Sequence, residues 1–228
     1  YSTNPIRSVN GLDLVYQKSI NDVTYLGELY FGSGTSSSFA LPTALSAYPV
    51  GTTATSRIDF KTHEMVGFNA SVSFEGISFR AGYFKTKVDV PAFGLADEDG
   101  SFGGVGMTID KNNIVVYSEY IIRDTSANLS SAFPDATAAY LTLGYRMGDF
   151  LPYITAASIG EGADKSIYAP KQTSSTLGLR YEMDDAAAFK IEAKNIKPDT
   201  YGGDAGGLFD SAITENVTII SVAVDVLF

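Results

Sequence analysis

Hydrophobic and polar residues alternate along most of this chain in segments of about ten residues. The clearest segment lies at the end, where every second residue from Ile220 to Phe228 is apolar, while Ser221, Ala223 and Asp225 alternate with the first four of them. A period of two places successive side chains on opposite sides of an extended backbone. The pattern therefore predicts β-strands that each have one apolar face.

Eleven segments of this kind can be recognised. They span 9–20, 22–32, 63–75, 77–88, 102–110, 113–124, 137–147, 150–159, 175–183, 187–197 and 217–228. Tilted strands of roughly 9 to 11 residues are long enough to cross a bilayer. The sequence predicts an all-β fold, a transmembrane antiparallel up-and-down β-barrel with about eleven strands in this chain.

The connections between the segments alternate in length. Five are tight and rich in turn-forming residues: 20–22, 75–76, 111–113, 148–149 and 184–187. Five are long and polar: 33–62, 89–101, 125–136, 160–174 and 198–216. Short turns at one end and long loops at the other are typical of outer-membrane barrels. The apolar–polar alternation within the strands is less specific, because a water-soluble sheet can show it too.

Aromatic residues cluster near the short turns on the apolar side. They are Tyr25, Phe74, Phe79, Tyr145, Tyr181, Phe189 and Phe228. Aromatic girdles mark the interfaces of outer-membrane barrels, so a periplasmic girdle is the preferred interpretation. The alternative is that these rings form the core of a soluble sandwich.

Composition excludes several classes of protein. The net charge of −10 repels a phosphate backbone, so nucleic acid is not expected as a partner. The chain has no cysteine for a disulfide or thiolate metal site. No apolar run reaches the roughly 18 residues of a membrane-spanning helix.

Nearly all charges inside the segments fall on the side opposite the apolar residues. Together with Gln17, they are Asp13, Glu28, Arg80, Glu119, Arg123, Arg146, Arg180, Glu182, Lys190, Glu192, Lys194 and Asp225. An Arg or Lys facing lipid at mid-depth costs about 2 to 4 kcal/mol, so this side is expected to line a pore. The charges either pair with one another or form a transverse field in which the arginines face separate acidic groups.

The terminal segment and the strand Tyr140–Arg146, followed by Phe150-Leu151-Pro152-Tyr153, resemble the Gram-negative outer-membrane porin superfamily. The resemblance implies a C-terminal assembly signal carried by Val222, Val224, Val226 and Phe228 and read by the barrel-assembly machinery. Residues 1–228 would form a single barrel domain that lacks N-terminal strands of a 16-stranded barrel, and a 12-stranded barrel lacking one strand is the alternative. The resemblance to general porins also implies that the protein forms a homotrimer and that outer-membrane lipid and lipopolysaccharide surround it.

The predicted function is a bacterial outer-membrane porin for passive diffusion of ions and small hydrophilic solutes, without cofactor or metal. His63, the single histidine, is interpreted as a loop residue and not a catalytic one, because no nucleophile or metal-binding motif surrounds it. The alternatives are a structural or adhesive barrel with a plugged lumen, and a barrel enzyme. The long loops are acidic, with Asp135 among their carboxylates, which predicts a cation-attracting outer mouth.

Overall fold

The protein folds into one large antiparallel sheet. A computed structural model describes residue 6 and residues 9–40, 57–131, 133–161, 171–184, 186–201, 205–206 and 215–226. The strands are β1 (Val9–Ile20), β2 (Val23–Ala40), β3 (Arg57–Phe74), β4 (Ile77–Val90), β5 (Leu95–Lys111), β6 (Ile114–Thr125), β7 (Ala136–Tyr145), β8 (Phe150–Glu161), β9 (Lys171–Asp184), β10 (Ala187–Tyr201), β11 (Ala205–Gly206) and β12 (Val217–Val226). Short 3-10 helices span Pro91–Phe93 and Leu129–Ser131.

Each strand from β1 to β10 pairs with its neighbours in the chain, and β12 pairs with β10. The short β11 adds only a two-residue pairing to the end of β10. The prediction of an all-β, antiparallel, up-and-down sheet with eleven principal strands is therefore confirmed. Within the described ranges, no helix is long and apolar enough to cross a membrane.

Tight hairpins join the strands at one end of the sheet, which we call the turn end. Glu75 and Gly76 have φ values of 45° and 80°, and Asn112 and Asn113 have φ values of 51° and 65°. Positive φ at both central residues matches the type I′ turn, whose twist suits a two-residue hairpin. Asn and Gly adopt this conformation readily, which explains why turn chemistry located these connections correctly.

The opposite end, the loop end, differs from the prediction. Strands β2, β3 and β5 extend well beyond the expected 22–32, 63–75 and 102–110. The expected long loop at 89–101 is wrong, because β4 and β5 continue to a compact turn that contains the Pro91–Phe93 helix. The residues of this hairpin have the polar composition of a loop, but backbone pairing between Lys87 and Asp99 keeps them in the sheet.

The register divides the sheet into two faces. The apolar face carries large exposed side chains, among them Leu14, Leu29, Phe68, Tyr83, Val105, Tyr120, Leu141, Leu143, Ile154, Leu177, Ile191, Ile220 and Val222. The opposite, polar face carries Glu28, Asn69, Arg80, Glu119 and Glu192 at the alternate positions. So large an exposed apolar surface needs a partner other than water.

The main buried core lies at the loop end, on the polar face. It consists of Ile58, Phe60, Val88, Val90, Leu129 and Phe133, and we call it the cap cluster. Ile6, Phe93 and Leu95 pack against it. At this end of the sheet, the β6–β7 connection, to which Leu129 and Phe133 belong, covers the polar face.

Candidate functional site: the polar face of the sheet

The charges assigned to water share one face of the sheet. The strand register places Asp13, Glu28, Arg80, Glu119, Arg123, Arg180, Glu182, Lys190, Glu192, Lys194 and Asp225 on the polar face. Arg146 follows the end of β7, and its Nη2 donates to Asp110 Oδ2. Their common face agrees with the sequence pattern, and their pore-lining role stays a prediction.

Ion pairs cross neighbouring strands of this face. Arg80 Nη2 lies 3.1 Å from Glu119 Oε1, joining β4 to β6 across β5. Arg146 Nη2 lies 2.7 Å from Asp110 Oδ2. Exposed pairs of this kind contribute roughly 0 to 1 kcal/mol each to the stability of the fold. Their main effect is on the distribution of charge over the polar face.

A second group of pairs lies across β8, β9, β10 and β12. Arg180 Nε lies 2.7 Å from Glu182 Oε1, and Arg180 Nη1 lies 3.1 Å from Asp225 Oδ2. Lys190 Nζ lies 3.3 Å from Glu192 Oε2, while the Tyr153 hydroxyl donates to Glu192 Oε1 at 2.6 Å. The arginines thus pair locally with nearby carboxylates, which favours the interpretation of mutual pairing over a separated transverse field.

Large side chains on the polar face lie flat across glycines of the next strand. A Cβ atom on Gly67 would be 2.4 Å from the ring of Tyr30, and one on Gly178 would be 2.2 Å from the ring of Tyr153. Arg80 crosses Gly106 in the same manner, because a Cβ atom on that glycine would be 2.6 Å from Arg80 Nε. The glycines therefore allow these bulky side chains to lie flat against the sheet, so that they project less from the polar face.

An ion pair lies at the turn end of the sheet, close to the hairpin turns. Lys111 Nζ donates a hydrogen bond to Glu75 Oε2. This hydrogen bond, together with the charge of Lys111, holds the pKa of the Glu75 carboxyl below its ordinary value. The pair links the β3–β4 turn to the end of β5.

The connection between β6 and β7 folds over the polar face at the loop end. Phe133 packs against Phe60 in an edge-on arrangement with ring centroids 5.2 Å apart, and Leu129 is only 1% exposed. The Ser126 backbone N–H donates to the Asp99 carbonyl at 2.8 Å, and Asn128 Nδ2 donates to Glu98 Oε1 at 3.0 Å. The connection is therefore held against β5 by both backbone and side-chain hydrogen bonds.

A buried carboxylate anchors the other end of this connection. Asp135 is fully buried, and its Oδ1 accepts a hydrogen bond from the Thr125 backbone N–H at 2.8 Å. Arg123 donates from Nε and Nη2 to the Pro134 carbonyl oxygen at 2.9 and 2.6 Å. The prediction that Asp135 belongs to a solvated acidic mouth is wrong, because its carboxylate binds the backbone inside the fold.

The cap cluster borders a cleft on the polar face. Its apolar walls come from Phe60, Phe84, Phe102, Leu129 and Phe133, and its cavity volume is about 40 Å³. Phe84 and Phe102 stack with centroids 5.8 Å apart. The polar groups at its rim are engaged: the Thr62 hydroxyl accepts from the Gly34 N–H, and the Thr86 hydroxyl donates to the His63 carbonyl. The cleft thus offers apolar surface to a ligand and few polar partners.

Sequence reasoning missed the residues of this cleft and of the cap cluster beside it. A signal was present, because Phe84, Val88 and Val90 continue the phase of Arg80 along β4 and so had to lie on the polar face.

Val222, Val224 and Val226 of the predicted assembly signal are exposed on the apolar face, and Phe228 lies outside the described residues. His63 lies within β3 and not in a loop.

No protein-family model matches the chain. No curated protein matches it either. A crystal structure of the Pseudomonas putida toluene transporter TodX is similar at 12% identity, covering 84% of this chain and 70% of that one, with a TM-score of 0.37. A second TodX structure has 12% identity, coverage of 82% and 67%, and a TM-score of 0.32.

Proposed function

We propose that this chain forms part of the wall of a bacterial outer-membrane β-barrel whose polar face lines a water-filled channel. Ions and small hydrophilic solutes would pass by passive diffusion, with no cofactor. The observation that carries the proposal is the division of eleven strands into an exposed apolar face and a charged polar face. Lipid is the partner that an exposed apolar band of this kind requires, and water is the partner of the charged side.

The details of the assembly extend this proposal. A barrel of the general-porin type has 16 strands, and three barrels associate as a homotrimer. Ala70 and Ala81 face each other on the apolar face, and small residues there permit close approach of a neighbouring wall. The aromatic side chains near the turn end, including the stacked Phe150 and Tyr181, would lie at the periplasmic interface with lipid.

Single-cysteine labelling tests the orientation of the two faces, because the native chain contains no cysteine. Ser71 lies on the polar face, and its neighbour Val72 lies on the apolar face. Thr176 and Leu177 form a second matched pair. In the full protein reconstituted into planar bilayers, a charged thiol reagent should react with Ser71→Cys and Thr176→Cys and lower the conductance. Val72→Cys and Leu177→Cys should be unreactive.

Two results would contradict the proposal. A purified protein without any channel conductance would exclude a diffusion pore. Equal labelling of the Ser71→Cys and Val72→Cys variants would show that both faces contact water, as in a soluble sheet.

The cleft beside the cap cluster favours a second candidate, the passage of small uncharged apolar molecules. Phenylalanine rings face the cleft on the polar side of the sheet. A channel that passes only hydrophilic solutes does not require apolar rings at this position. Toluene binding to the reconstituted protein, measured with radiolabelled toluene, should then fall after Phe84→Ser. Unchanged binding would leave the hydrophilic channel as the only candidate.

A further inference from the structure

The single histidine of the chain lies between two carboxylates at the loop end. His63 is in β3, Asp89 in β4 and Asp97 in β5, and their ligand atoms all lie within 4.8 Å of one another. Nε2 of His63 is 3.3 Å from Asp89 Oδ1 and 3.3 Å from Asp97 Oδ1. Three neighbouring strands thus bring together side chains that are distant in sequence.

The two distances from His63 Nε2 to the carboxylate oxygens match the ligand spacing of a metal coordination shell. Nitrogen and oxygen ligands of tetrahedral zinc lie at roughly 2.0 to 2.2 Å from the ion, which places them about 3.3 to 3.5 Å apart. The single hydrogen on one imidazole nitrogen can point well at only one oxygen, and a hydrogen bond is formed with Asp89 alone. A cation at the common centre of the three atoms would instead satisfy all of them.

We propose that His63, Asp89 and Asp97 form a binding site for a divalent transition-metal ion such as Zn²⁺, with water completing the coordination. Imidazole together with carboxylate oxygens suits zinc, whereas Mg²⁺ and Ca²⁺ prefer shells made of oxygen alone. The sequence predicted no metal site because none of the three residues belongs to a recognisable spacing motif.

The hydrogen bonds and charges around the two carboxylates affect how well they can bind a cation. The Asp97 backbone N–H donates to Asp89 Oδ1 at 2.9 Å and so fixes the position of the Asp89 carboxylate beside His63. Lys87 pairs with Asp99 at 2.7 Å, so that its charge is partly neutralised. Glu64 adds a negative charge on β3, while Lys61, opposite Asp89 in the register, is the ammonium group that competes with a metal.

The position on the sheet makes the site accessible from water. His63 and Asp89 are on the same side as the apolar face, at the level where Lys61, Lys85 and Lys87 replace apolar residues. The side chains of His63 and Asp89 are 33% and 30% exposed, and that of Asp97 is 76% exposed. A bound ion would join β3, β4 and β5 just beyond the apolar band.

Zinc titration of the full chain in detergent micelles, with a chromophoric competing chelator, tests the site. We expect one Zn²⁺ per chain, with binding weakened at least about tenfold by His63→Ala and by Asp97→Asn. Asp59→Asn is the matched control, since Asp59 is exposed and lies on the same side of β3, roughly 13 Å along the strand. Lys61→Gln should strengthen binding, and circular dichroism checks that each variant is folded.

A second measurement separates coordination from general attraction to acidic groups. Nitrogen-15 NMR of the one imidazole ring should show a zinc-induced shift of the coordinating nitrogen, because imidazole binds a metal directly through a ring nitrogen. Equal zinc binding by the native chain and by His63→Ala would overturn the proposal. Full competition by equimolar Mg²⁺ or Ca²⁺ would overturn it too, since that result indicates only an acidic surface.

Discussion

Two regions of the polar face have the same strand geometry and different chemistry. At the loop end of β3 to β6, a chain connection covers the face, and the side chains beneath it are apolar and buried. Toward the turn end of β8 to β12, the same face carries Arg180, Lys190 and Glu192 in half-exposed ion pairs. Alternation thus determines which side of the sheet a residue faces, and the cover above it determines whether that side is a core or a solvated wall.

Truncating a leucine in each environment tests this difference most strongly. Leu129→Ala removes a side chain that is 1% exposed from the cap cluster, and buried Leu→Ala changes cost about 2 to 5 kcal/mol. Leu177→Ala makes the same change at a 64% exposed position of the apolar face and should cost much less. Urea unfolding in micelles, combined with limited proteolysis of residues 126–135, provides the measurement. Equal losses would mean that the cap cluster does not support the connection.

Removing one carboxylate charge from each region should give the next largest effect. Asp135→Asn leaves Arg123 without its charged partner in a covered site, and we expect a loss of about 2 to 3 kcal/mol in the free energy of unfolding. Asp225→Asn breaks an exposed pair with Arg180 and should cost less than about 1 kcal/mol. The two variants are compared by the same urea titration. A larger loss from Asp225→Asn would reverse the ranking of the two regions.

Substitution of glycine tests the packing of the wall in the solvated region. Gly178→Ala places a methyl group against the Tyr153 ring, which must move and release Glu192, so a loss of about 1 to 2 kcal/mol is expected. Gly27→Ala is the control, because a Cβ there has no neighbour within 4 Å. Thermal unfolding of both variants would show the difference. If both behave alike, Tyr153 does not depend on the space above Gly178.

The smallest predicted effect concerns pH at the turn end. The pKa of Glu75 is lowered in the folded protein by Lys111, so the pair stabilises the fold above the unfolded pKa near 4.5. This contribution is lost as the pH falls through the folded value. Lys111→Met should therefore flatten the dependence of stability on pH below about 5, and Lys18→Met should not. A curve for Lys111→Met identical to that of the native protein would remove Glu75 from the acid response.

Local patterns predicted the strands and their faces because both depend on neighbouring residues. The period of two located all eleven principal strands, and positive-φ turn residues such as Asn112 and Asn113 located the hairpins. The cap cluster could not be found in this way, since Leu129 meets Phe60 only after four strands have paired. The grouping of His63 with Asp89 and Asp97 depends on a bulge in β3 between His63 and Val66, which no local pattern indicated.

The order of strands has a consequence for how the chain folds. From β1 to β10, every pairing joins sequence neighbours, so each hairpin can close over a short stretch of chain. Loop-closure entropy grows only slowly with length, and the two-residue turns keep that cost low for every second pairing. Hairpins can therefore form within microseconds and add to one another in chain order. Docking of the β6–β7 connection has to wait until β3 to β6 have assembled, which makes it a late event in folding.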